Sequence, residues 1–292
     1  MRYFGLLFFI LSSNVVNAKA LKPGLYALRN TIAAADTDSV IRKNSISAGV
    51  SYGTDALFFG RTGPIKYPFT TADLILNYKS GFFIYGSVLK VLGYKPVIDE
   101  LDLGGGYYYR LSSKFKGTLS YTRFFFNRES AIIKSSSSND INFKNSYDWK
   151  YFKTSLTGDY LFGKSYDVFT TLSVSKYMES VFSIFNDQDF LSINPSVNMI
   201  IGTQNFVQRY SVDHEYRLKY DDIYLHNDPN ETELDNARFR VLNYSFKLPL
   251  AYNTPHYTLE ASYRYSIPVN VEGALKNRRE SFFNLTFYYV LY

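Results

Sequence analysis

The chain has 292 residues, no cysteine and a formal net charge of +6. Its mean hydropathy of −0.18 is too polar for a bundle of membrane helices. The absence of cysteine excludes a disulfide framework, and the basic residues are too scattered to indicate nucleic-acid binding. Aromatic residues make up 18% of the chain, which is typical of strands and of proteins that place rings at a membrane–water boundary.

The N-terminus carries the pattern of an export signal. The basic residue Arg2 precedes an apolar stretch over 3–11, and small residues follow at Val16-Asn17-Ala18 and Ala18-Lys19-Ala20. A spanning helix would need about 20 apolar residues, so this stretch is too short to be an anchor. We therefore predict three regions: a cleaved signal peptide (1–20), an N-terminal periplasmic or luminal segment (21–43) and a transmembrane β-barrel (44–292).

From residue 44 onward, apolar and polar side chains alternate with a period of two, as they do in half-buried strands. In the first such stretch, Ile46, Ala48, Val50 and Tyr52 alternate with small polar residues. The pattern predicts about twelve strands, most of them long enough to cross a bilayer at a tilt. The predicted strands are 44–53, 69–78, 82–91, 100–110, 114–126, 147–161, 166–178, 189–201, 206–220, 239–252, 256–268 and 281–292.

The links between these predicted strands alternate in length without exception. Short links follow the even-numbered strands at 79–81, 111–113, 162–165, 202–205 and 253–255. Long links follow the odd-numbered strands at 54–68, 92–99, 127–146, 179–188, 221–238 and 269–280. Outer-membrane barrels have short periplasmic turns and long outer loops. We therefore predict an all-β fold, a single closed antiparallel up-and-down barrel of about twelve strands with both termini in the periplasm, and a range of 10 to 14 strands fits the pattern.

The alternative is a large soluble β-sandwich or barrel, because each sheet of a sandwich also has one apolar face. The C-terminus favours the membrane barrel. The last strand ends on an aromatic residue, and Tyr288, Val290 and Tyr292 alternate back from the terminus like the assembly signal of outer-membrane barrels. The usual terminal residue of that signal is Phe, so Tyr292 is a departure from it.

Three stretches of the chain carry a family resemblance: TADLILNYKSGFFIYGSV (71–88), DELDLGGGYYYRLSSKFKGTLSYTRFFF (99–126) and INPSVNMIIGTQNF (193–206). They resemble an uncharacterised family of outer-membrane β-barrel proteins of Bacteroidota. The resemblance covers roughly 70–290. It implies the fold and a bacterial outer-membrane location, and it implies no activity, ligand or catalytic residue.

If the aromatic face touches lipid, most charged strand residues face the lumen, because charge on the lipid side is costly. Acidic and basic residues are nearly balanced on that inner face, which argues against a strongly ion-selective pore. We interpret them as a luminal network of ion pairs, with a charged track or constriction as the alternative. The candidate residues are Asp102, Arg110, Asp159, Arg209, Asp213, Glu215, Arg217, Lys219, Glu260 and Arg264.

Catalysis has little support in the sequence. Outer-membrane phospholipases use a His with a Ser two positions later, and none of His214, His226 and His256 is followed by a Ser at that spacing. Asp213 and His214 are adjacent, so on a strand they would point to opposite faces. We expect no enzyme activity, no metal and no cofactor. The acidic link 221–238 is interpreted as a solvated loop, with Ca²⁺ binding as the alternative.

Two functions remain open on the sequence alone. The first expectation is an accessory or structural subunit of an outer-membrane protein complex, and the alternative is a passive small-solute channel, with a membrane-embedded hydrolase less favoured. The expected partners are the lipid bilayer, the barrel assembly machinery, and possible other outer-membrane proteins or lipoproteins. No nucleic acid is expected.

Overall fold

The computed structural model describes residues 44–56, 59–61, 66–127, 129–130, 137–163, 166–205, 239–271 and 278–292. The predicted signal peptide, the segment 21–43 and the predicted strand 206–220 lie outside the described residues. Among the described residues there is no helix with the length and hydropathy of a membrane span.

Fourteen strand segments are present among the described residues. In chain order they are β1 (Ser45–Gly53), β2 (Phe69–Asn77), β3 (Phe82–Val91), β4 (Glu100–Arg110), β5 (Phe115–Phe126), β6 (Ser137–Asp148), β7 (Lys153–Gly163), β8 (Tyr166–Ser175), β9 (Met178–Glu179), β10 (Phe190–Ile193), β11 (Ser196–Gly202), β12 (Arg240–Asn253), β13 (Tyr257–Pro268) and β14 (Glu280–Leu291).

These segments form one closed antiparallel barrel of twelve strands. The short segment β9 continues β8, and β10 continues into β11, because β9 pairs with β10 beside the β8–β11 pair. Each strand pairs with its neighbours in the chain, β1 pairs with β14, and β11 pairs directly with β12. The closed sheet leaves no edge unpaired among the described strands, which is what a strand-built protein needs in lipid.

The two faces of the sheet differ as the alternation predicts. On the outer face, large apolar side chains are about half exposed, as at Val50 (54%), Leu74 (50%) and Leu285 (50%). On the inner face, small polar side chains such as Ser47, Asn77 and Ser245 are buried. An apolar outer band around a polar interior is the surface of a barrel that lies in lipid. The alternation of apolar and polar side chains therefore predicts both the barrel fold and which face of the sheet points outward.

One predicted link is wrong, since most of β6 (Ser137–Asp148) lies in the range 127–146. Its outer face carries only a few apolar side chains among Asn139 and Asn145, so the period-two signal is weak. Tyrosines from β4 and β5 cover those amides. Tyr109 donates to Asn145 at 2.5 Å and Tyr121 donates to Asn139 at 2.7 Å. Strand β7 then begins at Lys153 rather than inside a strand that starts at 147.

The predicted strict alternation of link lengths is also wrong. We call the end of the barrel that holds Asn44, Tyr292 and the links 78–81, 111–114, 149–152 and 254–256 the turn end, and the opposite end the loop end. The link 164–165, at the loop end, is short. The link 180–189, at the turn end, is long. Both exceptions arise because the unpredicted strand β6 places the two links after β7 and β8 at the end of the barrel opposite to the predicted one. The direct pairing of β11 with β12 returns the later links to their predicted ends.

Candidate functional site in the barrel lumen

The first loop folds inward at the loop end of the barrel. The side chain of Phe59 packs on a cluster that we call the mouth cluster: Leu161, Phe169, Ile200 and Leu242. These four side chains come from the loop-end parts of β7, β8, β11 and β12, and they are between 0% and 7% exposed. The rings of Phe59 and Phe169 stack with centroids 3.7 Å apart and an interplanar angle of 12°. The mouth of the barrel is therefore partly filled by a loop residue.

A tight turn presents Phe59 to the mouth cluster. Phe59 has a φ of 45° and Gly60 a φ of 78°, both in the left-handed region. That region is unusual for an aromatic residue, so the surrounding contacts must hold it. Ser266 donates to the Gly60 carbonyl at 2.7 Å, and a Cβ at residue 60 would collide with the Asn243 side chain. Only glycine fits at this position.

Arg61 joins three loops at the mouth. The residue is 1% exposed, and its guanidinium donates to the Gln204 side-chain oxygen at 2.6 Å. The Gln204 amide in turn donates to the Asn270 carbonyl at 3.0 Å, and the Asn270 side chain donates to the Val241 carbonyl at 2.8 Å. We call Arg61, Gln204 and Asn270 the mouth junction. It ties loops 54–68, 203–239 and 269–279 to one another and to β12.

The link after β11 is also fastened to the wall. The Asp167 carboxylate is fully buried and accepts from Thr203 at 2.7 Å and from the Asn205 amide at 2.9 Å. Thr203 in turn accepts from the Val168 amide at 3.1 Å. Burial of a carboxylate is costly unless it is hydrogen bonded, and these contacts supply that. Residues 203–205 are thus fixed where they leave the barrel.

Several described carboxylates of the inner face lie between the middle and the loop end of their strands. Asp73, Asp102, Asp140 and Asp159 share the inward face of β2, β4, β6 and β7. Hydroxyl and amide groups bond to them. Ser87 donates to Asp73 at 2.5 Å, and Asn142 donates to Asp159 at 2.6 Å. The inner wall therefore carries hydrogen-bonded carboxylates between mid-barrel and the mouth cluster.

The turn half of the lumen holds a polar chamber of about 170 Å³. Three lysines and one carboxylate lie in its lining: Lys144, Lys153, Lys247 and Glu260. Most of the remaining lining is formed by serine and asparagine side chains. Lys153 and Lys247 flank Ser175 and Ser196 in one row of paired residues across four strands. Lys247 Nζ lies 3.7 Å from a Glu260 oxygen, so one lysine shares its charge with the carboxylate.

Half of the predicted luminal charge network falls within the described residues. Asp102, Arg110, Asp159, Glu260 and Arg264 all lie at inward-facing positions of their strands. Arg209, Asp213, Glu215, Arg217 and Lys219 lie outside the described residues. Two ion pairs seen on the inner face of the described strands join Glu260 to Lys247 and Lys116 to Asp148 at 3.1 Å, whereas Asp159 accepts from an amide. The network as a functional unit stays a prediction.

The C-terminal strand places two of the predicted signal residues inward. Tyr288 packs against Gly49 on the inner wall, and Val290 is 6% exposed. Tyr292 follows the strand and is 52% exposed. The side chains that face lipid in β14 are those of the other parity, such as Phe287 and Leu291. The assembly role of this strand stays a prediction.

Sequence reasoning missed the residues that narrow the mouth. Phe59 and Arg61 lie in a predicted loop, and no periodic pattern marks a loop residue that turns inward. Lys144 and Asp140 were missed because β6 was assigned to a link. The run of glycines over 104–106 did indicate a close approach by a side chain of another strand, since Gly104 leaves room for the Tyr85 ring to reach the Thr122 hydroxyl.

Comparison with known proteins gives structural similarity without sequence similarity. No protein-family model and no curated protein matches the chain. Among solved structures, the chain is similar to the KdgM porin, with a TM-score of 0.47 and 8% identity over 84% of this chain and 99% of that one. It is similar to the NanC porin, with a TM-score of 0.42 and 11% identity over 84% and 98% of the two chains.

A third similar structure is LpxR from Salmonella typhimurium, with a TM-score of 0.42 and 8% identity over 84% of this chain and 99% of that one. These similarities are too distant to support an argument about function. The assignment of the fold rests on the strand pairing described above, and the resemblance to a Bacteroidota family stays a prediction.

Proposed function

We propose that the protein is a narrow channel for small polar solutes in the bacterial outer membrane, with its turn end in the periplasm. The docking of Phe59, Gly60 and Arg61 inside the barrel mouth is the observation that carries this proposal. A loop that folds inward sets the bore of a pore. A barrel that acts only through its outer wall or its loops does not need such a loop.

The polar inner wall supports the same function. Serine and asparagine side chains line the chamber in the turn half, and lysines and carboxylates face the lumen at different depths. Such a wall can replace part of the hydration shell of a polar solute. A lumen filled by large apolar side chains would not offer this, and the mouth cluster is confined to one end of the barrel.

The accessory role in an outer-membrane complex, which the sequence analysis put first, stays a prediction. Its distinguishing result is a set of stable co-purifying proteins together with an absence of conductance. A non-enzymatic role is likewise our prediction. Of the three histidines, His256 is described, and its ring stacks on the ring of Tyr289 with centroids 6.3 Å apart.

The test is passage of solute through the purified full-length protein. Reconstituted into planar bilayers, the mature protein should give discrete conductance steps, and proteoliposomes should swell in isotonic solutions of small sugars. The control is the same preparation heated until the barrel unfolds. A folded, reconstituted protein that neither conducts nor admits small sugars would exclude the channel.

A further inference from the structure

The long link at the turn end presents apolar side chains to the surroundings. In the link 180–189, which we call the apolar link, Val181 is 82% exposed, Phe182 60% and Phe185 83%. A solvated link of this length would be expected to carry polar residues at such positions. Exposed aromatic side chains that lie close together mark a surface that contacts something other than water.

The apolar link is held in one conformation by Asp189. This carboxylate is fully buried, and it accepts from the backbone amides of Ile184 at 2.6 Å, Phe185 at 2.8 Å and Asn186 at 3.0 Å. The Tyr252 hydroxyl donates to it at 2.7 Å. A carboxylate with several amide donors fixes the backbone around it. The exposed rings are therefore presented by a defined structure.

Ser180 closes the base of the apolar link. Its hydroxyl donates to the Phe182 carbonyl at 2.8 Å and accepts from the Leu191 amide at 3.0 Å. The Ser180 amide also donates to the Leu191 carbonyl at 2.8 Å. Both ends of the link are thus bonded to the barrel wall, and the rings lie beside the wall rather than on a free stalk.

The apolar link continues the lipid-facing surface. Tyr252 belongs to the outward face of β12, on which Leu248 is 38% exposed and Leu250 48% exposed. The Phe185 ring meets the Tyr252 ring edge to face, with centroids 5.8 Å apart and an interplanar angle of 84°. The Tyr257 ring follows at 6.2 Å from Tyr252. An unbroken run of rings joins the link to the apolar wall.

A neighbouring turn has the composition of a membrane interface. In the link 149–152, Trp149 is 51% exposed and Tyr151 70% exposed, and the Lys150 ammonium lies 5.2 Å from the centre of the Tyr151 ring. Aromatic rings beside lysines are typical of the level of the lipid headgroups. The turn end therefore lies close to a lipid surface around at least two of its links.

We infer that the apolar link is a membrane anchor: Val181, Phe182 and Phe185 insert into the phospholipid monolayer at the turn end. The polar residues Asn186, Asp187 and Gln188 then lie at the headgroups or in water. The occupant of this surface is lipid, because the surface is continuous with the wall that lipid already covers. This role does not depend on whether solutes pass through the lumen.

Tryptophan fluorescence in vesicles tests the inference. In a Trp149→Phe background, which removes the one native tryptophan, single tryptophans are placed by Phe182→Trp, by Phe185→Trp and, as the matched control in the same link, by Gln188→Trp. The variants are reconstituted in phosphatidylcholine vesicles with brominated acyl chains. We expect the tryptophans at 182 and 185 to lose most of their fluorescence, and the one at 188 to keep most of it.

Two results would overturn the inference. Tryptophans at 182 and 185 that are quenched by aqueous acrylamide as strongly as the one at 188, and not by brominated lipid, would place the link in water. Protection from both quenchers only while another protein co-purifies would make the link a protein-docking surface. Heat-modifiable migration on gels shows that each variant is folded before it is measured. Phe182→Trp and Phe185→Trp keep an aromatic side chain at each position.

Discussion

The ring of Phe59 lies flat against the ring of Phe169, so a residue of the first loop is packed onto the inner wall contributed by β8. The contact is inside the mouth cluster, where Phe169 itself is fully buried. This aromatic pair therefore holds the loop in the mouth together with the mouth junction and the Ser266–Gly60 hydrogen bond.

We predict that Phe59→Ala enlarges the mouth. Without the ring, the loop loses its apolar contact with the mouth cluster, and we expect a higher single-channel conductance in planar bilayers. Val97→Ala is the control, because Val97 lies in a loop at the same end and is 84% exposed. Equal conductance in the wild-type protein and the Phe59→Ala variant would contradict a constriction at this point.

The mouth junction should contribute to stability. In the Gln204→Ala variant, the buried Arg61 guanidinium loses the Gln204 oxygen as an acceptor at 2.6 Å, and the Asn270 carbonyl loses the Gln204 amide as a donor. Loss of a buried hydrogen-bond partner costs about 1–3 kcal/mol. We expect the free energy of unfolding, measured with urea in lipid vesicles, to fall by about that amount. Gln188→Ala, at an exposed position, should leave it unchanged, and a similar loss in both variants would argue against the junction.

The conformation of the apolar link should depend on ionised Asp189. Burial alone would raise the pKa of this carboxyl, but the Ile184 amide, the Tyr252 hydroxyl and the amides of Phe185 and Asn186 outweigh it and lower the pKa from 3.8 to about 2. A lowered pKa means that the stabilisation is complete above the unfolded value and is lost as the pH falls through the folded value. The link should therefore loosen between pH 3.8 and about pH 2.

Asp189→Asn should produce the same loosening at neutral pH, because the amide has one acceptor oxygen in place of two. The measurement is hydrogen exchange of the Ile184, Phe185 and Asn186 amides, which we expect to be faster in the variant. Asp187→Asn is the control, since Asp187 lies in the same link and is exposed. Unchanged exchange in the Asp189→Asn variant would show that other contacts order the link.

Gly104 should tolerate no larger residue. A Cβ there would meet the Tyr121 carbonyl and the Tyr85 ring, whereas a Cβ at Gly158, also within a strand, has only one atom at 4.0 Å. Overpacking costs about 1–3 kcal/mol. We expect Gly104→Ala to lower the free energy of unfolding by that order, and Gly158→Ala to leave it unchanged or slightly higher. The two urea titrations in vesicles compare directly, and equal effects would refute the packing argument.

Lys247 should bias the channel toward anions. It lines the chamber together with Lys144 and Lys153, and Lys247→Gln removes a positive charge while leaving the Glu260 carboxylate in place. The loss of the lysine charge and the remaining Glu260 carboxylate both favour the passage of cations. We expect the reversal potential in a salt gradient to shift toward cation selectivity, with Lys95→Gln, in the loop 92–99, as the control. No shift would mean that ions do not pass this chamber.

The alternation of side chains was sufficient to predict the barrel. Strands such as β1 and β13 carry an apolar residue at nearly every second position, and their predicted bounds agree with the observed ones to within a residue. The strand β6 was missed because its outer face uses Asn139 and Asn145, whose partners are tyrosines two strands away or on the adjacent strand. A pattern within one segment cannot show a hydrogen bond supplied by another strand.

The inner face was predictable and the mouth was not. Asp102, Asp159, Glu260 and Arg264 follow from strand parity, since one residue in two must face inward. Phe59 and Arg61 belong to a loop whose direction is set by tertiary contacts with Phe169 and Gln204. These contacts join residues far apart in the chain, and no local signal in the sequence encodes them.

The seam between β11 and β12 has a consequence for engineering. These strands pair along the whole of β11, so the described strands close the cylinder by themselves. Lengthening a connection raises the entropic cost of closing it slowly, by about 0.6 kcal/mol for each doubling of its length. A foreign epitope or a small binding module inserted between two strands that are already joined would be displayed at the rim and leave the scaffold intact.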